Sequence, residues 1–470
     1  MASEEFCGDY LVLEPEKGGI YDFLHLLCSP HTETNQLTDC PKGTEISEFE
    51  RRRIIFMSLA VQKILLYIVK PMAWFGAMYE MWLNLDLFVL FMNLFKGKWE
   101  MPDPSSATFS TAIGNMDYRV ELDRNIKYGD SRYYGSLSIM ASKLSYENPA
   151  FIENIVTNQW KMEFLGANSY WNDYQQNKST SAFMFREKTA DSEVIVVAFR
   201  GTPPFDAVAW STDVDYSWYE LPTVGKVHGG FMKALGLQKI KGWPNEIDQE
   251  ESRQVAYYTI REKLREELMK NENAKFIVTG HSLGGALAVL FPLVLSFHEE
   301  TWMLKRLEGV YTFGQPRVGD EKLGEYMEKK MSEHGVPYVR AVYGNDMVPR
   351  LPYDNSADLY RHFGNCLYYN SLYEGMILEE EPNKNYFSLW MVIPKILNAL
   401  WELVRSFIIP VVKGSEYHES ISLRLFRVIG LIIPGLSAHA PQDYVNSMRL
   451  DSSILPLSPK NPTNLSRKLE

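Results

Sequence analysis

Cysteine is scarce in this chain, with four residues among 470: Cys7, Cys28, Cys40 and Cys366. Their spacing contains no C-x-x-C pair and no arrangement typical of a zinc site. This scarcity argues against a disulfide-stabilised fold, and we expect reduced thiols that face the cytosol. Because no cluster of ligands for a metal ion or an organic cofactor is visible, we expect neither to be required.

Positive charge is also in deficit. The chain has 48 Lys and Arg against 59 Asp and Glu, which gives a formal net charge of -11. Such a chain is not expected to bind nucleic acid or an anionic membrane through its overall charge, and a neutral lipid surface suits it better. The acidic first nine residues lack the basic start and apolar run of a secretory signal peptide. Nothing in the sequence indicates an oligomeric state.

Long charge-free apolar runs are absent as well. Residues 54–95 are strongly apolar, but four charged side chains interrupt them: Lys63, Lys70, Glu80 and Asp86. No uninterrupted run therefore reaches the ~18 residues that a membrane-spanning helix needs. Pro71 is expected to kink or end a helix within this region.

The flanks of this apolar region are typical of a water–lipid boundary. Arginines at 51–53 precede it, and Trp74, Trp82 and Trp99 lie within or beside it. We therefore predict that residues 51–100 form an anchor region of two apolar helices lying in a lipid surface. A helical hairpin buried against the rest of the chain is the alternative.

Composition divides the remainder of the chain. Residues 1–50 are polar and interrupted by Pro and Gly, which predicts little regular structure. Residues 101–127 open with the Pro/Ser-rich stretch Met101-Pro102-Asp103-Pro104-Ser105-Ser106, which predicts a linker. A globular domain is expected over residues 128–450, followed by a tail at 451–470.

Strands and helices alternate within residues 128–450. Apolar runs at 194–199, 276–279, 309–313 and 338–343 predict strands, of which the first is apolar throughout, as a central strand covered on both faces should be. Helical periodicity separates these runs and is clearest over residues 249–270. The alternation predicts an α/β fold with a largely parallel central sheet, flanked by helices and joined by right-handed crossovers.

One turn in this domain carries a chemical motif. Gly280-His281-Ser282-Leu283-Gly284 follows a predicted strand, precedes a predicted helix and matches the G-x-S-x-G nucleophile elbow. A serine on so tight a turn has a strained backbone, and glycines at 280 and 284 remove Cβ atoms that would collide there. The alternative is an ordinary serine in a glycine-rich turn, because so short a pattern recurs by chance.

A nucleophilic serine needs a base, and the base needs an acid to hold its tautomer. In α/β hydrolases the acid and then the histidine follow the serine along the chain. Asp346 lies in the loop after the predicted strand 338–343 and is the preferred acid, whereas Asp320 begins a helix and is predicted to cap it.

Three histidines follow Asp346: His362, His418 and His439. We favour His439, because it stands in a loop before the last predicted helix and could reach back to the sheet edge; the other two stay open. His281, beside the serine, is expected to pack within the elbow.

Hydrolysis also needs N–H donors for the oxyanion. The residue after the nucleophile, Leu283, should supply one. Thr202, which leaves the strand 194–199 in Phe199-Arg200-Gly201-Thr202, could supply a second and steady it with its hydroxyl.

Six ordered motifs together resemble the class 3 lipase family, the fungal-lipase-like α/β hydrolases. They are Phe199-Arg200-Gly201-Thr202, Trp210-Ser211-Thr212-Asp213, Val227-His228-Gly229-Gly230-Phe231, Gly280-His281-Ser282-Leu283-Gly284-Gly285-Ala286, Thr312-Phe313-Gly314-Gln315-Pro316-Arg317-Val318-Gly319 and Asn345-Asp346-Met347-Val348-Pro349-Arg350-Leu351-Pro352. The resemblance implies an α/β-hydrolase fold. It also implies Ser282 as nucleophile, Asp346 as acid, His439 as base, and Thr202 and Leu283 at the oxyanion hole.

The resemblance further implies a lid, which maps to residues 203–215 with Phe205 and Trp210 as candidates to face lipid. One departure from the compact family pattern is an apolar insertion at 371–436, between Asp346 and His439. It could form a second cover in contact with lipid or simply core. If it displaced His439, the base would be His418 or His362.

The opening Phe6-Cys7-Gly8-Asp9-Tyr10, the apolar region and the C-terminal layout resemble plant oil-body triacylglycerol lipases. That resemblance implies a triacylglycerol substrate and work on the cytosolic face of a lipid droplet, or on the endoplasmic reticulum membrane. Two alternatives are a phospholipase or galactolipase A1 on the same scaffold and a lipid-droplet scaffold protein whose elbow is not catalytic.

Overall fold

Two sheets organise the computed structural model, which describes residues 6–33, 35–86, 101–189, 192–352, 360–384, 389–414 and 417–451. The strands are β1 (Asp9–Leu13), β2 (Thr38–Asp39), β3 (Glu163–Asn172), β4 (Asn177–Lys188), β5 (Glu193–Phe199), β6 (Trp218–Leu221), β7 (Gly225–His228), β8 (Lys275–His281), β9 (Leu307–Phe313), β10 (Tyr338–Tyr343), β11 (Cys366–Tyr369) and β12 (Gly375–Leu378).

The helices of the described residues cover both faces of the larger sheet and its edge. They are α1 (Ile20–Cys28), α2 (Phe49–Leu83), α3 (Ala112–Met116), α4 (Tyr133–Leu144), α5 (Pro149–Asn154), α6 (Ala207–Asp213), α7 (Gly229–Leu235), α8 (Ala256–Met269), α9 (Leu283–Phe297), α10 (Thr301–Leu304), α11 (Glu321–His334), α12 (Val392–Lys413), α13 (Ile421–Gly430) and α14 (Pro441–Leu450).

The larger sheet has eight strands in the order β12-β11-β10-β9-β8-β5-β4-β3. The pairings from β5 through β8, β9 and β10 to β11 are parallel, and those of β3, β4 and β12 are antiparallel. The predicted strands therefore occupy the parallel centre as β5, β8, β9 and β10. Antiparallel strands close both ends, so the sheet is mixed rather than largely parallel.

Residues 6–50 are more regular than the sequence predicted. β1 pairs with β6 and with β2, and these strands form a separate antiparallel sheet in the order β2-β1-β6-β7. The expectation of little regular structure here is wrong, because β1 gains its partner from more than two hundred residues away. The side chains of Tyr10 and Val12 are buried in the core beside the larger sheet, and those of Leu11 and Leu13 in a smaller core shared with α1 and α2.

A single helix, α2, spans residues 49–83 of the apolar region and passes through Pro71, where a kink or an end was predicted. It continues through Pro71, and the protein holds it on both sides of that residue. The Ser58 hydroxyl donates a hydrogen bond to the Val214 carbonyl, and Gly76 lies against Phe205. These contacts keep α2 continuous although Pro71 has no N–H to donate. Residues 87–100 of the predicted anchor region lie outside the described residues.

By length and composition, α2 is the one helix of the described chain that could cross a membrane; 28% of its most apolar window is buried against the protein. Its buried positions include polar residues, namely Arg52, Ser58 and Gln62. One face of α2 therefore belongs to the domain, and the opposite face is exposed.

The predicted linker at 101–127 packs on the domain. Asp117 pairs with Arg119 at 2.8 Å and with Lys143 of α4 at 3.4 Å, and all three side chains are buried. The Thr111 N–H donates to Glu147 at 2.8 Å. This segment thus joins α2 to the globular domain instead of separating them.

The insertion contributes α12 and α13, which are fixed by a buried ion cluster of Glu402, Arg405, Glu419, Arg427 and Asp443. Arg427 donates to Asp443 at 2.9 Å, to Glu402 at 3.3 Å and to Glu419. Asp443 belongs to α14, two residues from its N-terminus. The cluster therefore ties the insertion to the helix that follows His439.

We expect Arg427→Ala to lower the free energy of unfolding by about 3–5 kcal/mol, because three buried carboxylates lose their shared cation. Chemical denaturation of the purified protein measures this. Arg424→Ala, on the same helix but partly exposed, is the matched control and should cost roughly 1 kcal/mol or less. Equal losses in the two variants would contradict the assigned role of the cluster.

Candidate active site

Ser282 stands between β8 and α9 with a backbone φ of 59° and ψ of -131°. A positive φ is strained for a residue with a Cβ, so the neighbouring structure must hold it. The Ser282 N–H donates to the Phe313 carbonyl at 2.9 Å, which fixes the turn to strand β9. The serine oxygen therefore projects above the sheet at the first turn of α9.

The two flanking glycines have the steric role that the motif predicts. A Cβ on Gly280 would lie 2.1 Å from the Gly284 carbonyl oxygen, and one on Gly284 would lie 2.2 Å from the Phe199 carbonyl oxygen. Real Cβ atoms do not approach oxygen so closely. No larger residue fits either position without moving the backbone.

Three side chains that are far apart in the sequence meet at this turn. The Nε2 atom of His439 lies 2.7 Å from the Ser282 hydroxyl oxygen, and its Nδ1 atom lies 2.8 Å from Oδ2 of Asp346. Because a carboxylate only accepts, Nδ1 carries the proton and Nε2 can accept the serine proton. The insertion at 371–436 leaves His439 within reach of Ser282.

Further groups fix the carboxylate of Asp346. Its Oδ2 atom accepts a hydrogen bond from the Tyr444 hydroxyl at 2.5 Å, and its Oδ1 atom accepts one from the Val348 N–H at 2.9 Å. Arg350 donates to the backbone carbonyls of Gly344 and Asp346 and so holds the loop. Asp346 is fully buried.

Gly314 lies directly against His439, Asp346 and Tyr444. Its φ is 60°, and a Cβ there would come 3.0 Å from each of Asp346 Oδ2, His439 Cε1 and the Tyr444 hydroxyl. The position therefore needs glycine for its backbone conformation and for space.

His281 packs in the elbow, as expected, and also contacts the neighbouring histidine. Its Nε2–H donates to the His439 carbonyl at 2.9 Å, because a carbonyl can only accept. Its Nδ1 then accepts from the Tyr146 hydroxyl at 2.8 Å. Burial is the main cause that holds the pKa of His281 well below its ordinary value, so the ring stays neutral in this arrangement.

Thr202 and Leu283 are both buried. Leu283 directly follows Ser282, and a Cβ on Gly201, the residue before Thr202, would lie 2.5 Å from the carbonyl oxygen of His281. Leu283 is the first residue of α9, so its N–H has no partner within the helix. The Thr202 hydroxyl donates to Oδ2 of Asp213 at 2.6 Å. Withdrawal from water raises the pKa of Asp213 to about 7, although the Thr202 hydrogen bond opposes the rise.

Little of Ser282 is open to solvent, since the residue is only 6% exposed. The segment predicted as a lid contains α6, and Phe205 at its start packs against Phe75 and Tyr79 of α2. Phe205 thus faces protein in this arrangement instead of lipid, because α2 lies across this segment. Trp210 is half-buried and donates to the Pro204 carbonyl at 3.2 Å.

The other candidates lie elsewhere. His362 contacts the Pro349 carbonyl, and the His418 ring packs against Tyr118. Asp320 accepts the Leu323 N–H at 2.9 Å and caps α11, as predicted. Within the ranges that the structure describes, no group of three His, Cys, Asp or Glu side chains is arranged to hold a metal ion.

The sequence patterns did not predict a function for several residues that contact this site. Gly314 and Asp213 stood within quoted motifs, and Tyr444 stood shortly after His439, so their sequence context was a usable signal. Tyr146 had no such signal, because only the fold brings the end of the α4 region to His281.

Comparison with known proteins places the chain in a family. The model for lipase (class 3) matches residues 196–356. The chain is 41% identical to a Nicotiana tabacum protein named triacylglycerol lipase OBL1, over 87% of this chain and 85% of that one. An Arabidopsis thaliana protein of the same name is 40% identical over 94% and 95%.

Among solved structures, a Rhizomucor miehei lipase–propeptide complex is 27% identical, over 44% of this chain and 57% of that chain, with a TM-score of 0.33. The two plant relatives match along nearly the whole chain at 40% identity or more. This chain therefore belongs to the class 3 lipase family.

Proposed function

We propose that this lipase is a serine ester hydrolase that cleaves long-chain triacylglycerols at the surface of a lipid droplet. The observation that carries the proposal is the continuous chain of hydrogen bonds from Ser282 through His439 to Asp346. A hydroxyl, an imidazole and a buried carboxylate in this order form the arrangement that activates a serine for acyl transfer.

In the proposed reaction, His439 Nε2 removes the Ser282 proton as the serine oxygen attacks the ester carbonyl carbon. The resulting imidazolium gives this proton to the departing glycerol oxygen, and the acyl group stays on Ser282. A water molecule then attacks the acyl-enzyme with His439 again as base, which releases the fatty acid and restores the serine. Asp346 stabilises the imidazolium and holds its tautomer.

The backbone N–H groups of Leu283 and Thr202 are the proposed donors to the oxyanion. Leu283 gains from its position at the N-terminus of α9, where the helix dipole favours negative charge. Asp213 accepts the Thr202 hydroxyl hydrogen and so fixes the orientation of that residue. Preorganised donors of this kind contribute more than donors that must reorient during the reaction.

In our proposal a lipid reaches Ser282, which is 6% exposed, after the predicted lid at 203–215 has moved. The Ser58 hydroxyl bonds to Val214 just after α6, and Gly76 contacts Phe205 just before it, so α2 holds both ends of the lid. In our proposal the exposed face of α2, which includes Tyr67, Trp74 and Trp82, lies on the lipid surface. A helix held along the domain in this way fits such a position better than a bilayer crossing.

The substrate assignment is supported by the two plant relatives named triacylglycerol lipase OBL1, which match most of this chain. The net charge of -11 favours a neutral surface, as a triacylglycerol droplet presents, over an anionic one. The oil-body resemblance of the sequence supports the cytosolic face of the droplet as the place of action.

Two alternative functions are compatible with the same α/β-hydrolase scaffold. A phospholipase or galactolipase A1 would share the triad and differ in the polar head that the site accepts. A droplet scaffold protein would keep the fold without turnover, and the closed hydrogen-bond chain of Ser282, His439 and Asp346 argues against it.

Ser282→Ala and His439→Ala should each lower kcat on emulsified triolein by about 10⁴-fold or more, because each removes an atom of the proton-transfer chain. His418→Ala, which removes a histidine outside the site, should keep activity within a few-fold. Fatty-acid release measures all three. Full activity in Ser282→Ala would contradict the proposal. Faster hydrolysis of phosphatidylcholine or galactolipid than of triolein would favour the A1 alternative.

Gly314→Ala should lower kcat at least tenfold, because its methyl group would press on Asp346, His439 and Tyr444 together. Gly335→Ala is the matched control. Gly335 has a similar φ of 64° but nothing within 4 Å of a Cβ, so it reports the backbone strain alone. Both variants should lose roughly 1 kcal/mol of stability. Equal kcat values in the two variants would refute a role for the space at Gly314.

Asp213 should make stability depend on pH. Its pKa rises from 3.8 in the unfolded chain to about 7 in the folded one, so between these values the folded state binds more protons. Stability therefore falls as pH rises through this window. The Asp213→Asn variant cannot titrate at this position. The Tm of the variant minus the Tm of the wild type should therefore increase from about pH 4 to pH 7 and stay constant above that pH. Parallel Tm curves across this range would contradict the assignment.

A further inference from the structure

Helices α12 and α13 have their polar and apolar faces reversed. A helix on the surface of a soluble domain buries its apolar face and exposes its polar one. Here the buried positions hold charged side chains: Lys395, Glu402 and Arg405 on α12 and Arg427 on α13.

The exposed positions of the same helices are apolar. Large apolar side chains, each more than 40% exposed, form what we name the outer face: Val392, Ile393, Ile396, Leu397, Leu400, Trp401, Val404, Phe407, Ile408, Val411, Val412, Ile421, Leu425, Val428 and Ile429. Lys413, at the end of α12, is the one charged residue among the exposed positions of these two helices. A continuous apolar surface of this extent marks a site of interaction.

We propose that the outer face docks on a neutral lipid surface and holds the active site against it. This inference rests on the proposed function and deepens it, because it adds a second lipid-contacting surface beyond α2. The buried ion cluster turns the apolar side chains outward: its charges are satisfied only when α12 and α13 sit with their polar side on the domain.

The chemistry of the outer face fits lipid. The outer face carries no carboxylate, although the chain has a net charge of -11. None of its apolar side chains therefore needs a polar partner when the face meets lipid. Trp390, which is 92% exposed, precedes α12, and Lys413 ends it. Tryptophan and lysine at the two ends of an apolar helix are typical of a helix lying at a water–lipid boundary.

The position of the outer face fits as well. The 3₁₀ turn Ser437–His439 packs against α13, so the base of the triad adjoins it. A Cβ on Gly344, next to the acid loop, would lie 3.3 Å from Glu402, which places α12 over the end of β10. Both α2 and α13 contact α3. Docking there would therefore bring lipid to the same end of the molecule as the triad and the lid.

The triple variant Leu397→Asp, Val404→Asp, Leu425→Asp tests the proposal. The probe is a triolein particle coated with phosphatidylcholine, used at limiting lipid so that the contribution of α2 does not hide the effect. We expect flotation with the particles and triolein hydrolysis to fall at least tenfold. Turnover of a soluble short-chain ester should stay within twofold. Met269→Asp, an exposed apolar site 68% accessible at the end of α8, is the control and should leave all three readouts unchanged.

Each other outcome decides the question. Unchanged flotation of a folded triple variant overturns the proposal. The proposal is also overturned if the wild type is a dimer, the triple variant is a monomer, and lipid binding persists in the variant. The outer face would then be a contact between two copies of the chain. If the Asp variant fails to fold, Leu397→Ala, Val404→Ala, Leu425→Ala replaces it, and a partial loss of flotation is expected. A wild type without any ester turnover would refute the proposed function, and flotation would still decide the docking.

Discussion

The strained backbone of Ser282 is the constraint on which the rest of the site depends. A positive φ at a residue with a side chain persists only where its surroundings hold it. Glycines at 280 and 284 allow β8 and α9 to approach each other, and the hydrogen bond to Phe313 fixes the turn to β9. The serine oxygen therefore stands clear of the sheet beside the N-terminus of α9, where a developing negative charge is stabilised.

The parallel centre of the sheet brings the partners to this turn. Strands β8, β9 and β10 run in the same direction, so their carboxyl ends meet at one edge. Ser282, Gly314 and Asp346 follow these three strands in turn. His439 comes from outside the sheet, and Tyr444 of α14 donates a hydrogen bond to Oδ2 of Asp346, the oxygen that Nδ1 of His439 also contacts. Each of these side chains is thus positioned by a strand end or a helix that is itself fixed by the fold.

The parts added to this core share a feature that a soluble domain rarely shows. α2 buries Arg52, Ser58 and Gln62, and α12 and α13 bury the ion cluster, while their exposed sides are apolar. Polar contacts help to fix the orientation of these helices on the protein, and a broad apolar surface of each helix stays exposed. On α2, the contacts of Ser58 with Val214 and of Gly76 with Phe205 link this helix to the segment 203–215.

The sequence by itself determined the features whose causes are local. The elbow, the strands β5, β8, β9 and β10, the position of Asp346 in the loop after β10 and the cap at Asp320 all followed from residue type and spacing over a few positions. Only the tertiary structure decided which of three histidines reaches Ser282, because that depends on how 93 residues of chain return from Asp346. The same holds for β1, whose partner β6 is distant in sequence. It also holds for α2, because protein contacts on both sides of Pro71 keep this helix continuous. The face of α12 that turns inward was also decided by charged side chains from other segments. The sequence of a helix shows how many apolar residues it has, but not which groups will lie next to them in the folded protein.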